Sequence, residues 1–325
     1  MEAAFWMGGR LATRLEDISF DVETLNQPGF RAVIGTFENH WIIAKFAEVI
    51  NSPLPQALTP WRPIERNKWR SSLSQSQYCD YVERIKKSIE VGDVYQVNAC
   101  RILETENHEN PSLLSLAQKI ATGNPAPFAS YISLPGYELA SASPERFISL
   151  KDRVVLSSPI KGTSATESFL EKDRAENLMI VDLIRNDMSS TARTGSVSTP
   201  RLLATERHPG LFHLVSDVRS ELADGENVVS LLKAMMPPGS VSGAPKSSAL
   251  KIISENEHER GPYCGAIGWV ENDRAEIAVG IRTFWQRDGL LKFGTGAGIT
   301  WGSDPESEWE ETELKAERLI GLASA

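Results

Sequence analysis

Phe128-Ala129-Ser130-Tyr131-Ile132-Ser133-Leu134-Pro135-Gly136-Tyr137-Glu138-Leu139-Ala140-Ser141-Ala142 is the stretch on which the fold turns. Two strand-like runs flank a Pro-Gly pair, a punctuation that reads as strand, turn, strand. A further strand is expected over Phe147–Leu156, another over Leu211–Leu222, and more at Cys264–Val270, Ala275–Gln286 and Leu290–Thr300. Helices are expected over about Tyr78–Ile89, Pro111–Ile120, Glu167–Asp187, Asn227–Met236 and Pro245–Glu255, with a closing helix opened by Asp304-Pro305. Strand pairs separated by groups of helices lack the alternation of a doubly wound parallel sheet. The expected class is α+β, with mostly antiparallel β-sheets packed against surrounding helices.

Residues 1–73 read differently from the remainder. Val33–Phe37 and Trp41–Ala44 are short strand candidates, and Pro53, Pro55, Pro60 and Pro63 then break any regular pattern. This part is expected to lend strands to the same fold, and residues 74–325 to form the main domain.

The bulk numbers exclude some functions. A formal charge of -9 over 325 residues argues against nucleic acid as a partner, since that affinity rests on neutralising phosphates. Cys79, Cys100 and Cys264 sit at neither metal nor redox spacing, which points to reduced thiols and a cytoplasmic setting. No signal peptide is expected, nor any membrane span.

Several residues could carry chemistry. Lys161, in Ser158-Pro159-Ile160-Lys161-Gly162-Thr163, follows the apolar run Val154-Val155-Leu156. It is either a snorkelling lysine or a desolvated amine nucleophile. Asp173 and Glu176 share one helix face, and Glu308, Glu311 and Lys315 share another. Such acids either complement helix dipoles or bind magnesium together with substrate oxygens.

Gly294, Gly296 and Gly298 mark a strand bulge or a close approach of backbone to a carboxylate. The loop Gly239–Lys246 opens a helix whose start is either simply capped or an anion site. Arg282, in an apolar strand, is an edge charge or a carboxylate clamp. His213 is a core histidine or a catalyst. Glu145 is one half of an exposed pair with Arg146 or a general acid kept protonated by burial.

The order of these motifs resembles that of the chorismate-utilising enzymes from about Gln75 to Leu322. The match rests on Gly92-Asp93-Val94-Tyr95-Gln96-Val97, Ala142-Ser143-Pro144-Glu145-Arg146, Pro159–Thr163 and Glu176–Asp187. It continues through His213-Leu214-Val215-Ser216, Ser242-Gly243-Ala244-Pro245-Lys246, Gly296-Ala297-Gly298 and Glu308-Trp309-Glu310-Glu311-Thr312. The resemblance implies an anthranilate synthase component I-like fold and makes residues 74–325 a chorismate-binding catalytic domain.

The roles it implies are specific. Glu176 and Glu311 would bind Mg2+, with Asp173 and Glu308 completing the acidic shell. Tyr263, Arg282 and Gly296 would hold the enolpyruvyl carboxylate, and Lys315 would stand near the metal. Gly162, Thr163, Ser240 and Gly298 would also line the substrate. Glu145 would assist departure of the ring hydroxyl, His213 would line the ring, and Lys161 would be catalytic.

Two positions divide the resembling enzymes. Those that add water carry a lysine where Gln96 stands, and glutamine lacks the basicity to activate water. Anthranilate synthases usually have alanine where Lys161 stands. A lysine there is similar to the aminodeoxychorismate synthases, which serve folate and p-aminobenzoate synthesis. The expected activity is therefore magnesium-dependent amination of chorismate, with anthranilate synthase component I and a non-catalytic chorismate binder as alternatives.

Asp173, Asn177 and Ser240 depart from a usual glutamate, histidine and threonine. Ser164-Ala165-Thr166 also replaces the common continuation after Gly-Thr. No glutaminase motif surrounds a cysteine, so ammonia is expected from a separate glutamine amidotransferase subunit. The short N-terminal region carries the expectation of no tryptophan regulation.

Overall fold

The computed structural model describes residues 2–164, 166–208 and 211–325, and their side chains except those of Thr163, His208 and Leu211. Phe128–Leu134 and Tyr137–Ser143 form the expected hairpin, closing at Leu134 opposite Tyr137. Every strand pairing among the described residues is antiparallel. From Gln96–Glu106 the ladder passes through Leu290–Ile299, Thr283–Arg287 and that hairpin to Ala4–Met7.

A tight turn at Gly8-Gly9, both at positive φ, leads to Arg10–Ser19 and carries the ladder into its second half. There it runs through Trp41–Asn51, Phe30–Gly35, Ala266–Glu271, Arg274–Val279, Arg146–Lys151 and Val154–Ser158. It ends on Leu211–Glu221 and Ser198–His208. The N-terminal strands are thus interior members of the ladder.

Three strand expectations need correction. Phe147–Leu156 is a hairpin rather than one strand, because Asp152 and Arg153 both adopt positive φ between Lys151 and Val154. Asp tolerates that conformation, but Arg is no turn former, so composition gave no signal. Ala275–Gln286 is interrupted at Gly280–Arg282, where Arg282 has a φ of 53°. Ser198–His208 is a strand where none was expected.

Six α-helices cover the ladder among the described residues: α1 Gln75–Glu90, α2 Leu114–Gly123, α3 Glu171–Ser189, α4 Val228–Met235, α5 Lys246–Asn256 and α6 Pro305–Ala323. Their starts follow local chemistry. Ser74 and Gln77 make a reciprocal capping box on α1, and Asp304 accepts from the Ser307 N–H ahead of α6, with Pro305 in its first turn.

Helix α6 is then locked in place by the buried Arg101. Its Nε donates to Thr312 Oγ1 at 2.9 Å, and its guanidinium stacks 4.0 Å over Trp309 and pairs with Glu313. Asn177 performs the same service for α3. It donates to the Leu214 carbonyl and accepts from Ser216 Oγ, at 3.2 and 2.5 Å. No helix among the described residues is long and apolar enough to cross a membrane.

Candidate active site

Lys161 gets its direction from a bulge. Ile160 lies opposite Val215 and Thr163 opposite His213, so three steps on one strand match two on its neighbour. The extra residue falls at Lys161-Gly162, where Gly162 has a φ of 85°, and such a bulge re-aims a side chain out of strand alternation. A Cβ on Gly162 would lie 2.9 Å from Asp173 Cβ, so glycine also lets the start of α3 close over the bulge. Burial lowers the pKa of Lys161, while Glu176 and Glu145 pull it upward, Lys315 pushes it down again and Glu311 pulls it up.

Glu145, 4% exposed, precedes Arg146–Lys151 and faces Lys161. Burial raises its pKa to about 7, restrained by a hydrogen bond from Ser240, the charge of Lys161 and the Ile160 N–H. Arg146 turns away to Glu276, with Nε 2.8 Å from Oε1, so the neighbouring acid and base are not paired with each other. The Ser240 loop is held from behind by Lys246, whose Nζ lies 2.6 Å from Asp187 and 3.0 Å from the Met235 carbonyl.

The expected acids divide. Glu176 and Glu308, on α3 and α6, face a shared cation: Lys172 Nζ lies 3.9 Å from one and 3.7 Å from the other. Burial raises the pKa of Glu176, with Lys161 and Lys172 opposing. Burial acts in the same direction on Glu311, but Lys315 at 2.6 Å and then Lys172 and Lys161 outweigh it, and the net shift is downward. Asp173 turns back to accept from the Leu170 N–H at 3.0 Å, so in this arrangement it caps α3.

No three His, Cys, Asp or Glu side chains form a metal cage among the described residues. Magnesium does not require one, because it commonly takes one or two carboxylates and completes its shell with water and substrate oxygens. Glu176 and Glu308, already sharing one cation, fit that pattern, with Glu311 one turn further along α6.

The opposite wall is built of glycines and cations. A Cβ on Gly296 would meet the Ala99 carbonyl oxygen at 2.6 Å, and one on Gly298 would lie 2.3 Å from Gln96 Nε2 and 3.8 Å from Lys161 Nζ. Lys315 Nζ donates to the Gly296 carbonyl at 3.0 Å. Arg282 is half-buried, its pKa lowered by burial and then by Arg318, and it has no carboxylate partner among the described residues. The Tyr263 ring packs over Gly294, and burial, followed by the neighbouring Cys100, raises the pKa of its hydroxyl.

His213 is buried opposite Thr163, whose side chain lies outside the described part. Gln96 stands out, being 1% exposed with neither amide atom partnered among the described residues. In the sequence, Gln96 is informative only through its lack of basicity. Lys172 and the Asp187–Lys246 tether carried no signal in the sequence, because they join the site only through ion pairs that bridge α3 to α6 and to α5.

Gly298→Ala tests the glycine wall. Only the end of the Gln96 side chain would have to move, so the fold should tolerate the substitution. The added methyl would still point toward Lys161 Nζ. We expect a loss in kcat/KM of about tenfold or more with Tm nearly unchanged, read by steady-state kinetics and calorimetry.

Known proteins share the sequence pattern and the fold. The sequence pattern of the family described as chorismate binding enzyme matches residues 38–321. Anthranilate synthase component 1 of Aquifex aeolicus is 37% identical over 267 residues, covering 78% of this chain and 54% of that protein. Aminodeoxychorismate synthase component 1 of Salmonella typhimurium is 33% identical over 305 residues, covering 89% and 66%. The chain thus spans about half to two thirds of the curated relatives it matches.

Among solved structures, anthranilate synthase component I from Streptococcus pneumoniae superposes with a TM-score of 0.80 at 22% identity, over 98% of this chain and 90% of that one. The menaquinone-specific isochorismate synthase from Escherichia coli gives 0.82 at 17%, over 99% and 88%. Both share the antiparallel ladder with its helical cover, the anthranilate synthase component I-like fold. With the family pattern running through the Glu145, Lys161, Glu176, Gly296 and Glu311 segments alike, this chain belongs to the chorismate binding enzymes.

Proposed function

We propose that the protein is an aminodeoxychorismate synthase component I, which converts chorismate and ammonia to 4-amino-4-deoxychorismate. The observation that carries this reading is Lys161, aimed by a bulge toward Glu145 and Gly298, its amine made easier to deprotonate by burial. In the neutral form, the amine attacks ring carbon 2 while the carbon 4 hydroxyl departs. Glu145, which holds its proton up to about pH 7, supplies the proton with which that hydroxyl leaves as water. Ammonia then adds at carbon 4 and the lysine amine is expelled, so the sum is chorismate plus ammonia giving product plus water.

The remaining residues bind and orient. Arg282 and the Gly296 backbone suit the enolpyruvyl carboxylate, and Glu176, Glu308 and Glu311 suit Mg2+. When bound, the metal would neutralise the ring carboxylate. The Gln96 carboxamide supports a polar ligand here, since leaving it unpaired in a dry interior costs about 1–3 kcal/mol. Ammonia would come from a separate glutamine amidotransferase.

Anthranilate synthase component I is the second reading, favoured by the identity to the Aquifex enzyme. A non-catalytic chorismate binder is the third, and the juxtaposition of Glu145 with Lys161 speaks against it. Product analysis after incubation with chorismate, Mg2+ and ammonium separates them. We expect 4-amino-4-deoxychorismate. Anthranilate supports the second reading and unchanged chorismate the third. Glutamine driving turnover by the purified chain alone would overturn the separate-amidotransferase proposal.

A further inference from the structure

Lys172 stands where helix chemistry disfavours it. As the second residue of α3, it puts a positive charge at the positive end of the helix dipole, and its partner Glu176 follows it in the weaker order for an i,i+4 pair. Local propensity therefore does not explain this lysine. Its tertiary contacts do, because its ammonium reaches across to α6 and lies within 4 Å of both Glu176 and Glu308. Glu308 is 5% exposed, and a carboxylate so enclosed needs a cation near it. Lys172 is itself half-exposed, so its head can swing into solvent without rearrangement of the core.

We propose that Lys172 is an internal counter-ion, joining α3 to α6 through Glu176 and Glu308 until a divalent cation displaces it. The proposal rests on reading those two glutamates as metal carboxylates. An ammonium there keeps the buried Glu308 and the partly buried Glu176 from repelling each other and holds α3 to α6. It also sets a threshold for the metal, which must expel a bound charge before it can enter. The acidic site is thereby tuned to take its metal weakly by itself and more firmly once substrate oxygens join the shell.

The test uses the whole chain without chorismate. Isothermal titration with Mg2+, and with Mn2+ as a second probe, compares wild type with Lys172→Met and Lys172→Arg. Removing two partly exposed ion pairs and the repulsion of the incoming cation is expected to tighten binding about five- to tenfold in K172M. K172R should stay within about twofold of wild type. In metal-free buffer K172M should have the lower Tm, and added Mg2+ should raise its Tm more than that of wild type.

Wild-type binding with equal or weaker affinity in K172M overturns the counter-ion role and leaves the metal site standing. Absence of binding by all three proteins overturns the counter-ion role, and absence that persists when chorismate is added removes the metal reading as well. If the methionine variant misfolds, Lys172→Gln replaces it under the same criteria.

Discussion

Lys161→Ala is expected to lower 4-amino-4-deoxychorismate formation by at least about 10³-fold, because the variant loses the proposed nucleophile rather than a contact. The substitution removes a half-buried ammonium from a bulge and leaves Gly162 and the α3 contact intact, so the fold should survive. Ammonia can then reach carbon 2 directly, and the small residual turnover should shift toward anthranilate. Lys161→Arg is the informative companion. Arginine preserves the charge facing Glu145 and Glu176 but is never deprotonated in proteins, so it should be as deficient in this product as alanine. Arginine restoring the activity would make Lys161 a binding cation. Product chromatography with both variants decides the point.

Glu145→Gln is expected to cost about 10²–10³ in kcat, the usual scale for removing a general acid. Its pH behaviour is the sharper mark. The acid must hold its proton to give it away, so wild-type kcat should fall as pH rises through about 7, where Glu145 ionises. The residual activity of the glutamine variant should lack that limb.

Stability should move the other way. Below pH 4 the carboxyl is neutral in both folded and unfolded chains and contributes no difference. As pH rises toward 7 the unfolded chain releases this proton while the folded protein retains it, so wild type loses stability. That penalty is complete above about pH 7. Glu145→Gln should therefore be more stable than wild type by about 1–3 kcal/mol at pH 8, with almost no gain at pH 4. Calorimetry at the two pH values checks the sign.

The fold and the site were legible to different depths. The hairpin at Pro135-Gly136 and the helices α1 and α6 follow from local chemistry, and the structure keeps them close to their expected bounds. Ser198–His208 was missed because two register shifts and a positive φ at Leu203 destroy any period-two pattern. The identities of Lys161, Glu145 and Glu176 stood out in sequence, but their convergence did not. The bulge that aims Lys161 depends on pairing with a strand some fifty residues later, and no local pattern reports it.

Asp173 illustrates the converse. Its spacing from Glu176 put it on the acidic face, whereas the backbone at Leu170 takes its carboxylate as a cap. Gln96 gave no positive signal at all, since only burial makes its unpaired amide conspicuous.

The most direct test of the central claim is the mass of the protein itself during reaction. Wild-type chain incubated with chorismate and Mg2+ but no ammonia, then acid-quenched and digested, should carry an adduct on the peptide containing Lys161. Its mass should be that of chorismate less one water, and added ammonium should discharge it to 4-amino-4-deoxychorismate. Unmodified Lys161 throughout, with aminodeoxychorismate still formed once ammonium is added, would contradict the account.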